Sequence, residues 1–233
     1  IDTVLCAFRI AEDQRVLLPV MFHLDGFHLT HMVEQFIPPN EYPLPLDPNK
    51  PVTMGGFGPP PIYTEVKWAQ EIKLREAKEV ILQVWQEFGD TFGRYYSPLE
   101  GYRSEGSRVL LLTMGSFSET AMAAIDKMKG DGKDVGLINL RLWRPFPFAE
   151  IRQAVKDAKV LIVLDRALSF GGPGGPVCSE IRSALYQQER KPKVIGFVGG
   201  LGGRDISVAG FEEIVSRGIE IAEKGSSQEF EIF

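Results

Sequence analysis

The stretch VLIVLDRALSFGGPGGPV, residues 160–177, runs an apolar strand into a glycine-rich loop and then a helix start. Such a loop holds phosphate when glycines let backbone N–H groups converge on the anion at a helix N-terminus. The dinucleotide pattern needs GxGxxG. Gly172 and Gly174 supply its first pair, but Val177 stands where the third small residue belongs. Pro173 and Pro176 each lack an N–H, so two donors are gone. No lysine follows to make a Walker loop. The residues favour a structural crossover or interface loop over an anion contact.

A second glycine loop, GGLGGRDI (199–206), repeats the problem. Gly202 lies in a run that lets backbone turn sharply, but Asp205 occupies the third-glycine position. Arg204 and Asp205 are placed to pair with each other or with a neighbouring chain. In LRLWRPFPF (140–148), Arg141 and Arg144 suit a carboxylate or phosphate, or nearby acids of the chain itself. All three histidines, His23, His28 and His31, fall in one stretch with Asp25, yet no high-specificity zinc spacing such as HExxH occurs. Cys6 and Cys178 are far apart, so this chain offers no thiolate set for zinc or an iron–sulfur cluster. No self-contained active site emerges.

The elements that must position these residues divide the chain in two. Residues 1–13 read as a helix with Val4, Leu5, Phe8 and Ile10 on one stripe. The chain opens on Ile1 without a methionine, so further residues are expected upstream. VLLPVMFH (16–23) reads as a buried strand, with Pro19 suited to an edge or bulge. Residues 37–63 hold nine prolines and three glycines and read as an extended arm lying on a surface. Residues 64–94 read as one long amphipathic helix bridging two parts, with Thr64 as its cap and Gly93 near its end. Residues 97–108 read as a boundary.

From there the pattern is regular. Strands at 108–115, 134–143, 160–165 and 193–200 alternate with helices. Ser116 or Ser118 would cap the first of these helices and Ser207 the last. That rhythm, with near-continuously apolar strands, predicts an open α/β domain whose mostly parallel sheet is covered on both faces. Hydrophobic residues are 44% and charged residues 24%, an ordinary globular balance. The net charge of −5, with no basic cluster in the sequence, argues against nucleic acid. No apolar run reaches membrane-spanning length, and the cysteine usage fits a reducing cytoplasm.

Several strings occur in a telling order: LDGFHLTH, the proline arm, FGRYY, TMGSFSETAMAAID, RPFPF, VLDR…SFGGPGGP and GLGGRDI. That order resembles the α subunit of the 2-oxoacid:ferredoxin oxidoreductases, of the pyruvate synthase type, over nearly the whole chain. The resemblance implies that residues 1–96 are the last part of a domain binding the pyrimidine side of thiamine diphosphate. It implies that residues 97–233 are a domain like the C-terminal domain of transketolase. The implied reaction is reversible oxidative decarboxylation of a 2-oxoacid with coenzyme A, giving acyl-CoA, carbon dioxide and reduced ferredoxin.

The catalytic residues are then expected upstream of Ile1 and on a partner subunit. Thiamine diphosphate and magnesium are expected to be shared with a β subunit, and [4Fe–4S] clusters to sit on partner subunits, with γ and ferredoxin-like δ subunits completing the complex. Asp25, Gly26 and His31, in the DGF…H string, are the implied cofactor-side residues and resemble the pyruvate and branched-chain members. Thr30 departs from the family's serine. Gly172, Gly174, Gly202, Arg204 and Asp205 are the loop and interface candidates. The alternatives are a branched-chain or oxalate substrate, or a non-catalytic scaffold of transketolase-C type.

Overall fold

The computed structural model describes residues 1–24, 59–225 and 228–233. The chain forms two compact units, Ile1–Ser97 and Pro98–Phe233.

In the first unit, α1 (Asp2–Ala11) packs on α2 (Pro60–Phe92). Cys6 and Ile10 are buried on α1; Ala77, Val80, Ile81, Val84, Trp85 and Phe88 are buried on α2. Those α2 positions fall three and four apart, which puts them on one helical face. Asp2 ties the start of α1 to the chain beyond α2. Its carboxylate accepts from Arg94 Nε at 2.6 Å and Nη2 at 2.9 Å, and from the Tyr96 hydroxyl at 2.6 Å.

Two expectations fail in this unit. Residues 16–23 are not a strand: Leu17 has φ +45° and residues 19–24 are exposed. A strand needs a neighbour for its N–H and C=O groups; none lies alongside among the described residues, and Pro19 removes a donor. The long helix begins at Pro60, not Thr64. Pro60 and Pro61 fill its first turn, where a missing N–H costs nothing and φ is already helical. So the helix takes the last residues of the expected arm, and residues 37–58 lie outside the described residues. The helix closes on Gly93, whose φ of +72° is left-handed. The helix falls within the first unit.

The second unit carries a six-stranded sheet. Its strands are β1 (Leu99–Tyr102), β2 (Val109–Met114), β3 (Val135–Leu140), β4 (Val160–Asp165), β5 (Lys193–Val198) and β6 (Glu231–Ile232). Their order is β1-β3-β2-β4-β5-β6, and all pair in parallel except β1 with β3. The crossovers are α3 (Phe117–Gly130), α4 (Phe148–Ala154) and α5 (Pro176–Leu185), with α6 (Val208–Lys224) after β5.

Strand alternation sorts the core into two layers. Leu111, Leu137, Ile162, Leu164 and Phe197 face α3 and α6 through Ala121, Ile125, Phe211 and Ile214. Leu110, Leu112, Ile138, Leu161 and Val163 face α4 and α5 through Ile151, Cys178 and Ile181. Burying each such aliphatic side chain stabilises the unit by about 1.5–3 kcal/mol before the entropy of ordering it. Ser207 caps α6 by accepting from Gly210 N–H at 3.2 Å. The boundary segment 97–108 contains β1, and the C-terminal tail supplies β6.

Candidate functional site

β2 connects to β3 on one side of the sheet, and β3 then connects to β4 on the other. The crossovers therefore diverge between β2 and β4, the place where open α/β sheets leave a crevice at the strand C-termini. The loops after β2, β4 and β5 meet along this rim.

After β2, Thr113 Oγ1 and Ser118 Oγ lie 2.8 Å apart and are both buried. Ser116 stands at the N-cap of α3 without a capping bond, so the hydroxyl pair, rather than a cap, closes this turn. Phe117 packs edge-on against Phe211 with centroids 5.8 Å apart. The Arg166 guanidinium lies 4.4 Å from the Phe117 ring centroid, a cation–π stack that joins the loop after β4 to the start of α3.

After β4, Asp165 decides what the glycine-rich loop does. Its carboxylate accepts from Val177 N–H at 2.9 Å and Cys178 N–H at 3.0 Å, in the first turn of α5. Those are amides that a bound phosphate would use. Asp165 is 3% exposed, and burial raises its pKa against the lowering effect of the two amide donors. Gly175 permits this seal: a Cβ there would come within 2.1 Å of the Asp165 carboxyl carbon. The anion position is filled by the chain itself.

The rest of that loop is a small hairpin. Ser169 N–H donates to Gly174 O at 2.9 Å, and Gly172 N–H to Ser169 O at 2.9 Å. Gly174 has φ +111° and is buried; a Cβ would sit 2.8 Å from the Phe230 ring. Gly174 thus packs against Phe230 within this unit. Gly172 is exposed nearby. Phe170, at the hairpin tip, is 91% exposed.

After β5, Gly200 (φ +71°) passes so close to Phe117 that a Cβ would lie 2.4 Å from its ring. The 3₁₀ turn Leu201–Gly203 follows, with Leu201 39% exposed. Gly202, Arg204 and Asp205 are exposed here, so the second glycine loop presents its candidates outward.

After β3, Arg144 forks onto Glu180 at 2.7 and 2.5 Å, and Trp143 Nε1 donates to the same carboxylate at 3.0 Å. Arg144 holds the Glu180 carboxyl below its usual pKa, opposed by burial. Arg141 pairs with Glu100. Both arginines are thus paired with the chain's own acids. His23 is exposed, while Asp25, Gly26, His28 and His31 lie outside the described residues.

Sequence reasoning missed Asp165, Glu180 and Phe170. The signal for Asp165 was present: an acid ending an apolar strand, eleven residues before the proline that starts the next helix. Among the described residues, no group of three His, Cys, Asp or Glu is placed to hold a metal. With the α5 amides taken by Asp165, the described residues do not fit thiamine diphosphate or its magnesium.

Residues 107–211 match the family described as pyruvate:ferredoxin oxidoreductase core domain II. That span takes in the whole rim. The chain is 40% identical to pyruvate synthase subunit PorA of Methanothermobacter thermautotrophicus, over 93% of this chain and 58% of that protein. It is 37% identical to the PorA of Thermotoga maritima, over 88% of this chain and 55% of that protein. This chain belongs to the 2-oxoacid:ferredoxin oxidoreductase α-subunit family.

Within the family, ketoisovalerate oxidoreductase subunit VorA of Pyrococcus horikoshii is 34% identical over 96% of this chain and 59% of that protein. The chain spans less than two thirds of the length of these relatives. A solved structure, the 2-oxoglutarate:ferredoxin oxidoreductase from Magnetococcus marinus with 2-oxoglutarate, coenzyme A and succinyl-CoA bound, aligns with a TM-score of 0.40. It is 19% identical over 63% of this chain and 23% of that one. That likeness is too slight to carry an argument.

Proposed function

We propose that this chain serves in the α subunit of a complex that oxidatively decarboxylates pyruvate. The reaction joins pyruvate and coenzyme A, releases carbon dioxide and a proton, and passes two electrons to ferredoxin, yielding acetyl-CoA reversibly. The observation that carries this reading is the 40% identity to a pyruvate synthase subunit across 93% of the chain.

The geometry supports a contact role for the second unit rather than an active site of its own. Asp165 seals the glycine loop that would otherwise take an anion. The exposed Phe170 and Leu201, with Gly172, Gly202, Arg204 and Asp205, form a rim suited to another subunit. Residues 1–96 then belong to the pyrimidine-side domain and residues 97–233 to a domain of transketolase-C type. Thiamine diphosphate, which supplies a nucleophilic carbanion and an electron sink when bound, belongs with magnesium at the β partner. Asp25, Gly26 and His31 are the residues of this chain assigned to the cofactor side by the family resemblance. The [4Fe–4S] clusters sit on partner subunits, with β, γ and δ subunits completing a cytoplasmic complex. No helix among the described residues is long and apolar enough to cross a membrane.

The test is purification through a tag on this chain from its native host, without oxygen. Larger iron–sulfur partners should co-purify, and the preparation should reduce methyl viologen only with a 2-oxoacid and coenzyme A together. Pyruvate should exceed 3-methyl-2-oxobutanoate in kcat/KM. A preference for the branched acid would move the chain to the ketoisovalerate branch. A colourless preparation without partners would overturn the reading.

A further inference from the structure

One groove in the second unit stands apart from the rim. It occupies about 460 Å³ and is lined by Arg152, Arg182, Ser183, Tyr186 and Gln187. Arg152 lies in the last turn of α4 and Arg182 in the last turn of α5. Both helices run from the strand C-termini back toward the opposite edge. The groove is therefore about one helix length, roughly 15 Å for ten residues, from the rim.

Its two arginines are paired unlike most others here. Arg15, Arg94, Arg108, Arg144 and Arg217 each meet a carboxylate. Arg152 instead donates from Nε to Ala184 O at 3.0 Å. Arg182 donates from Nη2 to Glu229 O at 3.0 Å and Val194 O at 3.4 Å. These are neutral acceptors, and among the described residues neither arginine has an acidic partner. Capping carbonyls at the end of α5 accounts for part of their placement. It uses one nitrogen of each guanidinium, and each has five N–H donors.

Two half-buried positive charges with donors to spare therefore face one groove. Beside the groove, Lys191 donates to Tyr186 O at 2.7 Å, with its Nζ 5.4 Å from the Tyr186 ring centroid. The Ser183 and Tyr186 hydroxyls and the Gln187 amide supply uncharged donors. Tyr186 itself is 77% exposed.

We propose that this groove binds a phosphate group. Two guanidinium forks from different helices suit a dianion with several acceptor oxygens better than a single carboxylate. The groove is open to solvent and wide enough for phosphate. The exposed Tyr186 ring offers an apolar face for the body of a phosphate monoester. The inference does not depend on the oxidoreductase reading.

Calorimetric titration of the purified full chain tests it, at ionic strength fixed with sodium chloride. The probes are inorganic phosphate, adenosine 5′-monophosphate, acetate and a polyglutamate peptide. Phosphate should bind saturably and at least tenfold more tightly than acetate. Arg152→Gln and Arg182→Gln should each weaken it tenfold or more. Gln187→Glu removes no observed bond yet places a negative charge in the groove, and should weaken it equally with an unchanged melting temperature. Tighter binding of the nucleotide, lost in Tyr186→Ala, identifies a phosphate monoester; equal binding identifies free phosphate. Absence of saturable binding, indifference to Gln187→Glu, or a preference for polyglutamate overturns the proposal.

Discussion

Replacing Asp165 with alanine removes the group that closes the first turn of α5. The carboxylate accepts two backbone N–H bonds, from Val177 and Cys178. A hydrogen bond to a charged group contributes about 1.5–3 kcal/mol, so the gross loss is roughly 3–6 kcal/mol. Burial opposes ionised Asp165 and raises its pKa, so relief of that burden returns part of the loss. The expected net cost is about 3 kcal/mol, or roughly 10 °C in Tm for a unit of this size. Thermal unfolding of the purified chain measures it. Formate added at matched ionic strength should enter the vacated position and stabilise the variant by more than it stabilises the parent. A Tm within about 2 °C of the parent, or no selective formate effect, would refute the claim that the chain fills its own anion cradle.

Gly174→Val should cost about 2–4 kcal/mol, because it forces a β-branched residue to φ +111° with its Cβ 2.8 Å from the Phe230 ring; denaturant unfolding measures the loss. Asp13, held by Arg15 and Arg9, has its pKa lowered to about 2. A depressed carboxylate stabilises the fold above its unfolded value of 3.8 and loses that contribution as pH falls through about 2. Asp13→Asn should therefore lower Tm at pH 7, with the deficit shrinking between pH 4 and pH 2; a deficit independent of pH would contradict the ion pair's role.

The four strand–helix repeats were legible because each strand is nearly continuous apolar sequence and each helix has a clear start, such as Pro176 or Ser207. The edges were not. LEGY (99–102) is a half-exposed edge strand and β6 has only two residues, so neither carries a period. VLLPVMFH misled in the other direction, since apolar composition alone cannot supply a pairing partner. The glycine loop's poor fit to a phosphate site was readable from Pro173, Pro176 and Val177. What fills the cradle was not, because Asp165 meets Val177 only once β4 and α5 are packed. Gly172, Gly174 and Gly202 look alike in sequence, yet Gly174 alone is buried: its contact is Phe230, far along the chain.

The most direct test of the contact role is Phe170→Glu in the tagged complex. Phe170 is 91% exposed and touches no core, so the isolated chain should keep its Tm within about 2 °C. Native mass measurement of the complex should show this chain released from its partners. A complex of unchanged mass and unchanged viologen reduction would contradict the assignment of the rim to subunit contact.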